Sequence, residues 1–427
     1  MNLDKPGNWI YELVKQLFPI CRSITGDGIR QSLQIIQSYL PCMTLHEVVS
    51  GTTCFDWVVP KEWNIQSATL IDPDGNKVVD FADHNLHVVG YSIPVDRYLP
   101  LEELQQHLHS IPDMPEAIPY ATSYYHEDWG FCLPHQQRKK LKPGLYHARI
   151  NSTLSAGSLT YGDLVIPGVS KEEIFLSTYI CHPSMANNEL SGPAVCVALA
   201  QWVKSLPQRR YTYRFVFVPE TIGALVYLSK HLEHLRSTVI AGFVVTCVGD
   251  ERTYSYLESR LGGTQVDRVA KHVLKHVVGK FDSYSFLERG SDERQYCAPG
   301  VDLPMVSVMR SKYGTYPEYH TSLDDLSLVT PEGLQGSYTT LRHCLEVLEA
   351  DVKYRTTVTG EPQLGRRGLY HTLATRGIED APRIRLDLLA YADGQHSLLE
   401  IAEKLNVPLW NLIPFVNELV NAGLLVR

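Results

Sequence analysis

The sequence contains no run of ~18 uncharged apolar residues, so nothing in it reads as a membrane-spanning helix. It also contains no Cys-x-x-Cys pair. The nine cysteines are scattered and odd in number, which argues against a disulfide framework and for a reducing compartment. A basic excess is missing too. The net charge of -8 argues against a nucleic-acid partner. The opening MNLDKPGNWIYELVKQLFPI has no basic start, long apolar core or small-residue cleavage site. No secretory signal is therefore expected, and the cytoplasm is the expected compartment. Internal repeats and low-complexity tracts are absent as well.

What is present is a chain of 427 residues, enough for two or three domains at about 100–200 residues each. Residues 8–40 carry helical periodicity (Trp9, Ile10, Leu13, Val14, Leu17, then Ile29, Leu33, Ile36, Leu40), broken by CRSITGDGIR. From about 47 to 165, short β-rich runs alternate with turn pairs such as Asp74-Gly75 and Pro143-Gly144. From about 170, strand and helix patterns alternate: EIFLSTYIC, GPAVCVALAQWVKSL, YRFVFVP, GALVYLSKHLEHL, STVIAGFVVTCVG, VDRVAKHVLKHV, LPMVSVM and a final helix after Pro331. That alternation implies an α/β domain with a mainly parallel mixed sheet sandwiched by helices. We expect residues 1–46 with 166–353 to form it, and 47–165 to be an inserted β-rich domain. Residues 366–427 end in two short helices around Asn406-Val407-Pro408 and a closing LLVR, the pattern of a winged helix-turn-helix. Its second helix, PLWNLIPFVNELVNAG, has no Lys or Arg, which counts against DNA recognition. Its apolar Leu409, Trp410, Leu412, Ile413, Phe415 and Val416 suggest docking or homo-oligomerisation instead.

Four polar segments stand at expected strand ends, where open α/β sheets gather their functional groups. STYICHPSMANNELSGPA delivers His182, a natural zinc ligand, with oxygen donors close behind it. The plain alternative is a capping loop in which Asn187 and Asn188 serve turn chemistry. FVFVPETIGALVYL places Glu220 after an apolar strand, where desolvation raises a carboxylate toward general-base duty. The plain alternative is an acid at a helix N-terminus. FVVTCVGDERT offers Thr246, Cys247, Asp250 and Glu251, with Cys247 a thiolate ligand or a buried structural cysteine. RSKYGTYPEYHTSLDDLSL offers His320, with Asp324 or Asp325 as a carboxylate to orient it.

These segments resemble, in order, motifs of the zinc aminopeptidase and glutamate carboxypeptidase-like superfamily. The matching stretches are His182, N188-E-L-S191-G192, E220-T-I-G223, S291-D292 and H320-T-S-L-D324. The whole chain is more similar still to a bacterial aminopeptidase-like family with an inserted β domain and a C-terminal winged helix. The resemblance implies a zinc exopeptidase-like fold and a metallo-exopeptidase reaction on a peptide or small amide. It implies Glu220 as catalytic base and His182, Asn188, Glu189 and His320 as candidate metal ligands. Asp292, Glu293, Arg310, Tyr316 and Tyr319 are candidates for holding substrate, on position alone.

Three departures sharpen this expectation. The typical site holds two zincs, bridged by an aspartate where this chain has Asn188. A ligand glutamate is replaced by Thr221, and a ligand aspartate by Thr246 or Cys247. With three anionic donors gone, one Zn2+ is expected rather than two. The same losses keep open a non-catalytic relative that binds a ligand or partner, and the tail keeps open a DNA-binding regulator. RSITGDGIR and SYYHEDWGFC, rich in polar and aromatic groups, are expected either at the pocket wall or in interdomain packing.

Overall fold

Runs of β-branched and aromatic residues without a polar face can only be central strands, buried on both sides. EIFLSTY (Glu173–Tyr179) is buried at every position, and TYRFVFV (Thr212–Val218) at all but its first. They lie side by side in a mixed eight-stranded sheet. From edge to edge it runs Thr44–Val49, Ser158–Ile166, Thr212–Val218, Glu173–Tyr179, Val239–Val244, Met305–Met309, Ser255–Leu257 and Asp282–Tyr284. The four central strands are parallel. Two antiparallel strands extend the sheet on one side, and a parallel pair, joined antiparallel, on the other. Helix Ser191–Ser205 packs against Gly7–Leu17, and Ile222–Thr238 against Glu293–Tyr296. The first is buried almost all round, as its uniformly apolar sequence requires. The expected α/β sheet with flanking helices is therefore present.

The computed structural model describes residues 5–369 and 380–427. Residues 1–4 of the first expected domain and 370–379 of the C-terminal one lie outside the described residues. The chain divides into two units, Met1–Thr264 with Asp282–Tyr338, and Gln265–Phe281 with Thr339–Arg427. Among the described residues no helix is long and apolar enough to cross a membrane.

Within the first unit, the strands Thr44–Val49 and Ser158–Ile166 pair with each other at the sheet edge. The chain between them builds a four-stranded antiparallel sheet in the order Lys77–Asp80, Glu62–Ile71, Leu145–Ser155, Val95–Pro100. Leu70, Leu99, Phe131 and Tyr146 fill its core. One stretch of this insertion reaches back to the large sheet's loops. Pro119 bridges to Thr321, the Tyr120 amide donates to the His320 carbonyl at 2.9 Å, and Ser322 donates to Ile118 at 2.9 Å.

The second unit holds helices Asp380–Tyr391, Leu398–Leu405 and Leu409–Asn421. Its antiparallel sheet is Asp393–Ser397, Lys353–Thr356, Leu425–Val426. This is a winged helix-turn-helix. Ser397 and Glu400 form a capping box, and Asn406 takes the left-handed conformation that ends the middle helix. The apolar stretch expected to dock a partner is largely used inside the unit. Leu409, Leu412 and Val416 are buried, and Trp410 stacks on His343 with centroids 4.4 Å apart.

His272 accepts the Leu409 amide through Nε2 at 3.0 Å, so the ring is neutral in this fold. Burial lowers its pKa to about 4, with the nearby His276, Lys275 and Arg268 acting in the same direction. The unfolded chain takes up a proton below about 6.5, whereas the folded one resists until about 4. The contribution is thus complete above pH 6.5 and is lost as pH falls toward 4. We expect a loss of roughly 2 kcal/mol over that interval, seen by calorimetry as a falling transition of this unit. His272→Gln should flatten the dependence, and an unchanged slope would remove His272 as its source.

Candidate functional site

His182, Glu220, Cys247 and His320 follow four segments that end on the same edge of the sheet. Ser184, Thr221, Cys247 and His320 all have positive φ, between 48° and 63°. Such angles are uncommon outside glycine, most of all at a β-branched residue such as Thr221, and they cluster where surroundings over-determine the backbone. Here the surroundings are hydrogen bonds. The Thr221 amide donates to Asp292 Oδ1 at 2.7 Å, and the His320 carbonyl accepts from Tyr120.

His182 is buried, and both sides of it are occupied. Its Nδ1 lies 2.6 Å from Glu189 Oε2, and the other Glu189 oxygen accepts the Cys181 amide. The imidazole Nε2 lies 3.5 Å from Glu220 Oε2. Beneath it, Arg22 donates from Nε and Nη2 to the His182 carbonyl at 3.2 and 3.0 Å, and from Nη1 to the Leu17 carbonyl at 2.6 Å. Burial alone would depress the His182 pKa, but Cys181 and Glu189 outweigh it and hold the imidazole well above its ordinary value. His320 behaves oppositely. Burial and the neighbouring His182 lower it to about 3, so its ring is neutral. The two rings are 5.3 Å apart, and Tyr319 stacks on His320 at 3.9 Å.

Glu220 is also desolvated. Burial raises its carboxyl above the usual range, against the pull of His182 and of Arg294, whose Nη2 is 3.9 Å away. His182, Glu220 and His320 together line a cavity of about 380 Å³. Its far wall comes from the insertion: Trp57, Tyr120, Thr122, Tyr124 and Tyr125. Ile24 of RSITGDGIR lines it as well.

The turn Ala186–Leu190 lies behind His182. Asn188 donates through Nδ2 to the Tyr179 hydroxyl at 2.8 Å, while its Oδ1 is buried without a hydrogen-bond partner. An orphaned buried oxygen of this kind is a suitable donor to a cation, as are the unpartnered Asp292 Oδ2 and Glu293 Oε2. Cys181, His182 and Glu189 also bring ligand atoms within 4.8 Å of one another. As a metal set these are poor, because burial pushes the Cys181 thiol up to about 12 and both Glu189 oxygens already accept N–H groups. Glu189 is thus placed to orient His182, not to coordinate beside it as expected; its carboxylate fixes the tautomer that leaves Nε2 toward the cavity.

Asp324 does not orient His320, and neither does Asp325. Asp324 accepts the amides of Asn187 and Asn188 at 2.6 and 2.9 Å and the Tyr316 hydroxyl at 2.9 Å. Burial raises it to about 6 despite those donors. Asp325 accepts from Ser327.

None of the five residues expected to hold substrate lines the cavity. Asp292 is buried on the Thr221 amide. Glu293 accepts the amides of Gly290 and Ser291 and the Tyr313 hydroxyl. Arg310 lies over the Tyr254 ring at 3.9 Å. Tyr316 serves Asp324, and Tyr319 backs His320. Thr246 donates to the Asn188 carbonyl at 2.8 Å and lends the site no anionic oxygen. Of SYYHEDWGFC, Tyr124 and Tyr125 reach the cavity while Trp129 packs in the insertion's core. Position along the chain could not separate those fates, and it gave no sign of Arg22.

Residues 11–351 match the family described as a domain of unknown function (DUF4910). The chain belongs to that family. Residues 352–427 match a winged helix-turn-helix. A Clostridium acetobutylicum protein, provisionally named a polysaccharide biosynthesis protein with aminopeptidase-like domain, is 43% identical over 407 residues, covering 94% of this chain and 92% of its own. A crystal structure from Clostridium acetobutylicum, provisionally named a peptidase, is 41% identical, with a TM-score of 0.93 over 100% of this chain and 97% of that one. A zinc aminopeptidase from Bacillus subtilis is 14% identical, with a TM-score of 0.57 over 82% of this chain and 96% of its own. A peptidase M28 precursor from Shewanella amazonensis is also 14% identical, with a TM-score of 0.58 over 84% and 97%. These last two show a shared fold, in line with the aminopeptidase-like resemblance of the motifs.

Replacing Arg22 by Met would strip the Leu17 and His182 carbonyls of buried donors. We expect Arg22→Met to cost about 3 kcal/mol in urea unfolding, because each charge-assisted bond is worth ~1.5–3. A loss under ~1 kcal/mol would mean that Arg22 does not hold the His182 loop.

Proposed function

We propose that this chain is a metal-dependent hydrolase of exopeptidase type, cleaving a terminal peptide or related amide bond with Glu220 as base. The observation that carries the reading is the convergence of His182, His320 and Glu220 on one cavity at the strand ends. His182, His320 and Asn188 would hold one zinc ion. When bound, the ion would acidify water toward neutrality and polarise a carbonyl. The partnerless Oδ1 of Asn188 supports it as the third donor.

The chain's own groups divide the remaining work. Glu189 holds the Nδ1 side of His182, so that Nε2 stays directed at the cavity. Glu220 takes a proton from the attacking water at a carboxylate oxygen and returns it to the leaving nitrogen. Its burial-raised pKa suits both directions of transfer. The Tyr120 and Tyr124 hydroxyls, paired at 2.6 Å, close the inner wall against bulk water. We place the reaction in the cytoplasm, in keeping with unpaired cysteines, and in polysaccharide biosynthesis by analogy with the Clostridium acetobutylicum relative.

The neutral side chains of Asn188, Thr221 and Thr246 favour a second reading, in which the site binds a ligand without turning it over. Elemental analysis and kinetics separate the two. Protein purified without chelator should carry about one zinc per chain, lost in His182→Ala and in His320→Ala. Stoichiometric zinc retained by both variants would sink the site. Glu220→Gln should keep the zinc and lower amide turnover by ~10²–10⁴-fold. Full turnover in that variant would remove Glu220 as base, and zinc without any amide turnover would favour the binding reading.

A further inference from the structure

The cavity beside His182 is unusual for a site that receives a terminal ammonium. Among its lining residues Glu220 is the one carboxylate. An ammonium paired with Glu220 would occupy the group needed as base. Arg294, 3.9 Å from Glu220 and donating to Thr221 Oγ1 at 3.0 Å, adds a positive charge at that end. A divalent cation on the histidines would add two more, and in a desolvated site like charges repel strongly. An incoming free amine thus finds no carboxylate in the cavity lining other than the base itself, the nearby Asp292 and Glu293 being turned to backbone amides and a tyrosine hydroxyl behind it.

What the cavity does offer is aromatic faces and hydroxyls. Trp57 and Tyr125 stand at its rim, 39% and 49% exposed, with centroids 5.7 Å apart and planes at 69°. Such half-exposed rings present flat apolar surface to a ligand rather than to a core. Deeper in, Tyr120, Tyr124 and Thr122 supply hydroxyl partners. Trp57 also lines an adjoining cavity of about 400 Å³ with Phe55, so aromatic surface continues beyond the first ring's place.

We infer that the substrate is a neutral N-acylated amino sugar, its ring seated on Trp57 and Tyr125, rather than a peptide with a free amino terminus. This rests on the amide-hydrolase reading of the same site. In the reaction the acyl carbon–nitrogen bond breaks and a carbon–oxygen bond to water forms. The water proton passes through Glu220 to the sugar nitrogen. A carboxylic acid and an amino sugar leave.

Binding tests this independently of turnover. Saturation-transfer NMR on Glu220→Gln protein, with zinc and after chelation, would compare N,N'-diacetylchitobiose, its de-acetylated form and the dipeptide Leu-Leu. We expect saturable binding of the diacetylated sugar, at least fivefold weaker binding of the other two, and a loss of at least fivefold in Trp57→Ala that Trp57→Phe largely restores. Tyr125→Ala provides the same reading should Trp57→Ala fail to fold. Tighter binding of Leu-Leu, no binding of the diacetylated sugar, or unchanged affinity in a folded aromatic variant would each overturn the inference. Sugar bound by wild-type protein but never hydrolysed would instead uphold the inference and defeat the hydrolase reading. Wild-type hydrolysis of Leu-Leu in preference to the sugar would do the reverse.

Discussion

One buried carboxylate ties the two halves of the candidate site together. Asp324 leaves the loop that carries His320 and accepts the amides of Asn187 and Asn188 in the turn behind His182. With the Ala186 amide donating to the Asp324 carbonyl at 2.9 Å, that bridge ties the loop of His320 to the turn behind His182. The donors have partners of their own: Asn187 Oδ1 accepts the amides of Gly249 and Asp250, which follow the next strand of the sheet. Three strand ends are thus cross-linked through one turn of backbone. Ser184, Cys247 and His320, all at positive φ, lie in the loops that this cross-linking joins.

Charge follows from the same geometry. Asn188, Thr221 and Thr246 put neutral groups where the resembling enzymes use acids, and each neutral group has a structural task. The Thr221 hydroxyl accepts from Arg294, Thr246 holds the Asn188 carbonyl, and Asn188 holds Tyr179. Of the other buried acids near the site, Glu189 is held by His182 and the Cys181 amide, and Asp292, Glu293 and Asp324 each accept from backbone amides or tyrosine hydroxyls, with one oxygen of Asp292 and one of Glu293 left without a partner. Glu220 alone faces the cavity. A site with so little negative charge suits one metal ion rather than two, because two would leave several positive charges uncompensated in a poorly solvated place.

How much of this could be read from the chain varied with the kind of interaction. Strands and helices came from local periodicity, so EIFLSTY, TYRFVFV and the alternating helices were legible, as was the winged helix. His182, Glu220 and His320 were legible because strand ends are where such folds place their chemistry. Asp324 was seen but given the wrong partner, since a carboxylate four residues from a histidine has many places to go and only the tertiary fold chooses. Glu189 was seen as a metal ligand rather than as the partner of His182 Nδ1, and Arg22 was hidden, for the same reason. Arg22 meets His182 across 160 residues of sequence, a pairing no periodicity encodes. The five expected substrate residues were chosen by proximity along the chain, and packing turned them to other uses.

The candidate site is therefore built from two different parts of the first unit. The large sheet supplies His182, His320 and Glu220, while the insertion supplies Trp57, Tyr120, Thr122, Tyr124 and Tyr125. The insertion does more than cover the pocket. The Tyr120 amide holds the His320 carbonyl, and the Tyr120 ring lies within 5.2 Å of both imidazoles. A change in the insertion that moved its aromatic wall would also move His320. The shape of the aromatic wall and the pose of His320 are coupled through that one residue. A scaffold shared with zinc aminopeptidases can on this basis serve a different substrate without rebuilding its sheet, because the insertion sets both the shape of the pocket and the pose of one histidine.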